Sequence, residues 1–162
     1  DYDIAQSVSG EDLPIEGLLR DPSDVRLRAK LLMEMRSSRE LSSLQSVVMR
    51  ASKLAMKNDL PFDILDANKV VNKQLFESKS EFLMLEVLIK LEPFARGSDL
   101  KAYKELSKGF IESSEALSSF FDGDSSVMVM VDDEKIRNNR LNLLSVLSNQ
   151  SRVLADFSKI IN

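Results

Sequence analysis

The sequence predicts an all-α fold: a helical bundle of about five helices with one extended apolar loop at 122–131. Three observations predict it. Only five glycines and four prolines are spread over 162 residues. Apolar residues make up 43% of the chain and recur at the three- and four-residue spacing of a helix face. Ser- and Asp-led helix starts punctuate the chain at intervals. A chain of this length makes one domain and buries about 68–70% of the surface its unfolded form exposes, so its core needs no covalent staple. Composition divides it into an acidic connecting arm at 1–20 and a helical domain at 21–162.

The arm is broken by Gly10, Pro14 and Gly17 and lacks a sustained period. Asp21-Pro22-Ser23-Asp24 then opens a helix running to about Arg36, with Asp21 as cap and Pro22 at the first position. Ser37-Ser38-Arg39-Glu40 reads as a capping box. It precedes a helix whose Leu41, Leu44, Val48, Ala51 and Ala55 share one face. Residues 59–77 form a connector. Ser78-Lys79-Ser80-Glu81 is a second capping box, opening a helix to Glu92 that Pro93 and Gly97 stop. A long helical stretch follows from Ser98 or Asp99 to Phe121, with Gly109 the place for a kink. Asp122 to Ser126 reads as a turn, and Val127 to Val131 as an extended run laid over the bundle with alternate side chains as plugs. Asp132 caps a last helix at 133–148, and a helical turn follows near 152–160.

Two zeros narrow the function. The chain has no Cys and no His, which removes thiol and imidazole nucleophile systems, the commonest acid–base residue and the usual zinc sites. No paired-carboxylate signature replaces them, so no catalytic residue is assigned. Asp122, Asp124 and Ser126 imitate the first positions of a calcium loop. The sixth position is Val127 instead of glycine and the twelfth is Asp133 instead of glutamate, so no metal is expected. No apolar run reaches the length of a membrane span. The opening residue, Asp1, reads as the start of a piece of a longer protein.

Net charge is −4, but it is unevenly spread. Residues 1–24 hold seven acids and one base, whereas residues 25–60 hold eight bases and three acids. On the helix that starts near Leu41, Arg39, Arg50, Lys53 and Lys57 fall about 120–180° from the apolar stripe. Such a row can track phosphates, and it can equally be a solvated face. Arg28 and Arg36 on the preceding helix reinforce it. In the last helix Arg140 lies at about 40° from Ile136, beside Leu143 and Leu147 and inside the apolar arc, with Arg137 at the arc's edge near Leu144. A cation there needs a partner, and Asp122 and Asp132 are the expected ones.

Several segments in order carry a resemblance. They are Phe120-Phe121-Asp122, Val127-Met128-Val129-Met130, Asp132-Asp133-Glu134, Arg137-Asn138-Asn139-Arg140-Leu141-x-Leu143-Leu144 and Val153-x-Ala155-Asp156-Phe157-Ser158. Together they resemble the C-terminal region of the β subunit of bacterial heterotetrameric glycyl-tRNA synthetase. The Arg-Leu-x-Leu-Leu element is similar to the DALR-type anticodon-binding domain shared with arginyl-tRNA synthetases. Asp24-x-x-x-Arg28-Ala29, Arg50 and Leu75-Phe76-Glu77 match at compatible spacing. Lys53 stands where the family often has Asn. The extra Asp-Ser-Ser within 122–126, with the acidic arm, resembles the cyanobacterial or plastid branch.

The resemblance implies a tRNA anticodon-binding domain that is itself non-catalytic within a glycine–tRNA ligase. It implies tRNA(Gly), the α subunit and the rest of the β subunit as partners, with no DNA and no membrane. ATP and glycine would be bound in the α subunit and no cofactor in this chain, in the cytoplasm or a plastid. Arg28, Arg36, Arg39, Arg50, Lys53 and Lys57 are then candidates for the phosphates, and Arg137 and Asn139 for base or backbone contacts. The alternative is a helical docking module that assembles subunits without touching RNA. The failed calcium pattern yields a direct expectation: millimolar calcium leaves the melting temperature where equal magnesium leaves it, as a thermal scan in each ion would show.

Overall fold

The structure is a computed structural model that describes residues 2–9 and 22–161. Seven helices occur among the described residues: α1 (Tyr2–Ser9), α2 (Pro22–Ser37), α3 (Glu40–Ala55), α4 (Lys79–Ala95), α5 (Leu100–Glu112), α6 (Ser114–Ser118) and α7 (Glu134–Arg152). Three 3₁₀ turns, Ala67–Lys69, Lys73–Leu75 and Phe157–Lys159, complete it, and no strand occurs among the described residues. The fold is all-α, as the periodicity predicts. α7 is the central helix, packed along α3 on one side and α4 on the other. α5 and α6 lie against α4, α2 against α3, and α1 against α2 and the C-terminal turn.

The acidic arm proves to be more than a connector at its start. Ile4 and Val8 of α1 are fully buried, because their four-residue spacing puts both on the face that meets α2. Arg36 pairs with Asp3 and donates to the Ile161 carbonyl, and the Ile161 N–H donates to Asp3. The Arg36 guanidinium and that N–H hold the Asp3 carboxyl well below the usual carboxylate range. The two ends of the described chain are thereby locked together. The cap expected at Asp21 lies outside the described residues.

Other boundaries move for local reasons. The 37–40 capping box does not form: Arg39 takes a left-handed φ of 65° at the head of α3. Ser38 Oγ instead bonds the Met35 carbonyl and Glu40, since a junction this short must reverse direction within one residue. The second box does form, with Glu81 Oε2 accepting from the Ser78 N–H at 2.8 Å. Pro93 lies inside α4, which ends at Ala95; in the last turn only one ladder bond is lost. The break in the long stretch comes at Ser113, not Gly109. Asp133, not Asp132, caps α7, accepting from the Lys135 and Ile136 N–H groups at 2.9 and 3.1 Å. α7 runs past 148 to Arg152 because Asn149 and Gln150 are engaged across the helix interface, as described below. In the 122–131 loop Val129 is the buried plug, while Met128 and Met130 stay exposed.

Gly109 has a packing role in place of a kink. A Cβ there would lie 2.2 Å from Leu91 Cδ2, and Leu91 is fully buried. Hydrogen alone lets α5 approach α4 this closely. Gly109→Ala should therefore destabilise the fold by about 1–3 kcal/mol, the usual cost of overpacking, measured as a lower urea midpoint with unchanged slope.

Candidate functional site

Arg140 is 4% exposed, but neither expected partner holds it. Its Nε donates to Glu81 Oε1 at 2.9 Å, Nη2 to Glu77 Oε2 at 2.7 Å and Nη1 to the Met128 carbonyl at 3.1 Å. Burial opposes its charge, and the two glutamates outweigh that and raise its pKa above the ordinary arginine value. Both glutamates stand at the head of α4, which packs on α7. That packing brings them closer than Asp122 or Asp132, the residues nearer in sequence.

Asp122 is taken by Arg50, which makes a bidentate pair at 2.5 and 3.0 Å and lies over the Phe121 ring, 4.6 Å from its centroid. The Arg50 guanidinium holds the Asp122 carboxyl below its ordinary value. Asp132 is exposed, and its carbonyl accepts from Arg137, as does that of Val131.

The other candidates sort by the same test. Arg28 pairs with Asp24 one turn earlier, and Arg36 is committed to Asp3. Asn139 is buried, with Oδ1 accepting from the Asn72 N–H at 2.7 Å and Nδ2 donating to the Asn72 carbonyl at 3.0 Å. Both ends of its amide are engaged by the backbone of one residue and the side chain is buried, so it is not placed to read a base edge. Arg39, Lys53 and Lys57 remain exposed and make no ion pair among the described residues. No cluster of acidic side chains suited to a metal occurs among them either.

Lys53 leads to a feature that sequence reasoning missed. A cleft of about 720 Å³ opens between the C-terminal halves of α3 and α7, walled by residues 58–62 and 155–158. Its rim carries Met56 and Phe62, 85% and 70% exposed, and Arg152 lies 4.4 Å over the Phe62 centroid. Its walls are fixed by polar bonds from α7. Asn149 Nδ2 donates to the Pro61 and Ile64 carbonyls, both at 2.9 Å. Asn58 donates to Asn142 and Ser145, and Ser52 meets Ser148 at 2.9 Å. The visible signal was Phe62 beside Pro61 in a polar connector. Its partner Arg152 is 90 residues away, beyond any local pattern.

The chain is similar to curated glycine–tRNA ligase β subunits. It is 40% identical over 164 residues to that of Gloeothece citriformis and 39% identical over 163 residues to that of Acaryochloris marina, covering 99% of this chain and 23% of each relative. It is 33% identical over 171 residues to that of Synechocystis, covering 99% of the chain and 24% of the relative. The chain thus spans about a quarter of the length of these relatives. No family model matches it.

The Arg140 cluster carries a stability prediction. Arg140→Ala should cost about 3–5 kcal/mol, because it leaves Glu81 buried and uncompensated. Glu77→Ala, which removes a carboxylate 61% exposed, should cost no more than about 1 kcal/mol. Chemical denaturation of both variants checks the order, and equal losses would contradict this division of labour.

Proposed function

We propose, starting from the fact that this chain is homologous to one segment of the glycine–tRNA ligase β subunit, that it is a tRNA-binding domain in the C-terminal region of such a subunit. In this reading it engages the anticodon arm of tRNA(Gly), while ATP and glycine are handled by the α subunit in the cytoplasm. The domain itself supplies no catalytic group.

The observation that carries the reading is which of the candidate cations are left over once internal pairs are formed. Arg28, Arg36, Arg50 and Arg140 spend their charge on carboxylates of the chain itself. Arg39, Lys53 and Lys57 stay exposed on α3 and its flanks, spaced to meet a phosphate backbone. Lys53 and Lys57 are one turn apart, so they lie on one face. Phosphate contacts of this kind set register and affinity, while base contacts supply specificity.

A second reading, docking against another protein, is favoured by Met128, Met130 and Phe82, which are 73%, 46% and 45% exposed.

Salt dependence separates the two. Each phosphate contact removed should lower the log–log salt slope of tRNA binding by roughly 0.7–0.9. Lys53→Gln/Lys57→Gln should therefore flatten the slope by about twice that and weaken cognate and anticodon-swapped tRNA alike. Arg50→Gln should do less, because Asp122 already neutralises it. Filter binding at two salt concentrations gives the slopes; unchanged slopes in the double variant would transfer the function to the protein-docking reading.

A further inference from the structure

We infer that the cleft between α3 and α7 is a pocket for one unpaired nucleobase bearing an exocyclic amino group, stacked on Phe62, with the adjoining phosphates on Lys53 and Lys57. This rests on the tRNA-binding reading above and names the site that would give it base selectivity.

Size and lining favour a base. A cleft of about 720 Å³ lies within the range of small-ligand pockets, roughly 300–1,000 Å³. Phe62 and Met56 present large apolar surfaces to solvent at its mouth. The Arg152 guanidinium lies against the Phe62 ring, so a planar cation and an aromatic ring stand together at the entrance. Single-stranded nucleic acids are bound by such surfaces, with bases stacked on aromatic rings and guanidinium planes and the backbone tracked by nearby cations.

Charge decides between a base and a phosphate. The cleft is lined by Lys53 and Arg152 but also by Asp59 and Asp156, so it has no net positive potential to draw a phosphate inward. Two carboxylates suit hydrogen-bond donors instead. Asp156 Oδ1 accepts from the Ser158 N–H and hydroxyl at 3.0 and 2.6 Å, which fixes that side chain. Asp59 is exposed and makes no bond among the described residues. A carboxylate accepts from the amino group of cytosine, whereas uracil offers a carbonyl at the same place and would face it with a lone pair.

The cleft is also pre-formed. α7 amides hold the 58–64 wall, and the Asp156 N–H donates to the Ser7 carbonyl of α1 at 2.8 Å, bracing the opposite wall. Little ordering is left for a ligand to impose, which favours binding of a small group such as a base.

The test uses the 162-residue protein with fluorescein-labelled seven-nucleotide RNAs, all-cytidine and all-uridine, followed by anisotropy at two salt concentrations. The cytidine RNA should bind more tightly. Phe62→Leu should weaken it about tenfold, the scale of one lost base–aromatic stack, with no change in melting temperature. Asp59→Asn should shrink the cytidine-to-uridine ratio while leaving uridine binding in place. Lys53→Gln/Lys57→Gln should weaken both RNAs equally and flatten the salt slope. If the lysine variant loses affinity but Phe62→Leu and Asp59→Asn do not, the cleft proposal is overturned while the tRNA-binding reading survives. If neither RNA binds, and full-length tRNA does not bind either, both fall. If Phe62→Leu weakens association with the remaining subunits and leaves RNA binding intact, the cleft is a protein-docking groove and the proposal is wrong.

Discussion

Arg140 and Glu81 form a buried ion pair on which three separate parts of the bundle depend. Removing two ions from water costs several kcal/mol each, and their attraction offsets that only when every remaining donor and acceptor is satisfied. Here the requirement is met by spreading the bonds. Glu81 gives one oxygen to Arg140 and the other to the Glu77 and Ser78 N–H groups. Arg140 adds the Glu77 carboxylate and the Met128 carbonyl. The start of α4, the middle of α7 and the 122–131 loop are thus fixed by one charge. Ser78 and Ser80 hydroxyls donating to the Ser125 carbonyl fasten the same loop a second time.

α7 extends this logic along its length. It is polar for a central helix: Asn139, Ser145, Ser148, Asn149, Gln150 and Ser151 are all buried. Side-chain amides of this helix serve as stand-ins for backbone partners: Gln150 donates to the Leu65 and Leu88 carbonyls, and the half-buried Asn142 to that of Val70. Gln45 of α3 does the same for Phe157 and Ile160. Carbonyls of the irregular segments around Leu65, Val70 and Ile160, and that of Leu88 within α4, thereby gain side-chain partners in the interior, where an unpaired group would be costly. The cleft beside Phe62 exists because the 58–64 segment is held to α7 in this way.

The site was only partly legible in the chain. The helical angle of Arg140 placed it inside the apolar arc, and Lys53 and Lys57 could be read onto the exposed face of their helix. Asn139 could not be told from a base-reading amide, because a side-chain amide has the same donors and acceptors whether it meets a base or the peptide of Asn72. Arg28 and Arg50 have the residue type and helix position of phosphate ligands, yet Asp24 and Asp122 lie against them. Charge counts do not distinguish a paired cation from a free one, and pairing is a matter of distance.

What the sequence by itself determined was the class of fold and most of its helices. Apolar spacing and capping residues act over three or four positions, and local geometry alone makes them readable, as in α3, α4 and α7. The absence of Cys and His likewise removed whole chemistries with no structure needed. Tertiary structure decided the rest. Glu77 and Glu81 meet Arg140, Arg152 meets Phe62, and Ile4 and Val8 turn an apparent arm into part of the core, all across sequence gaps that no helical period spans. The physical reason is that a helix presents a whole face to several neighbours at once, and which carboxylate or ring lies opposite is set by how the helices pack.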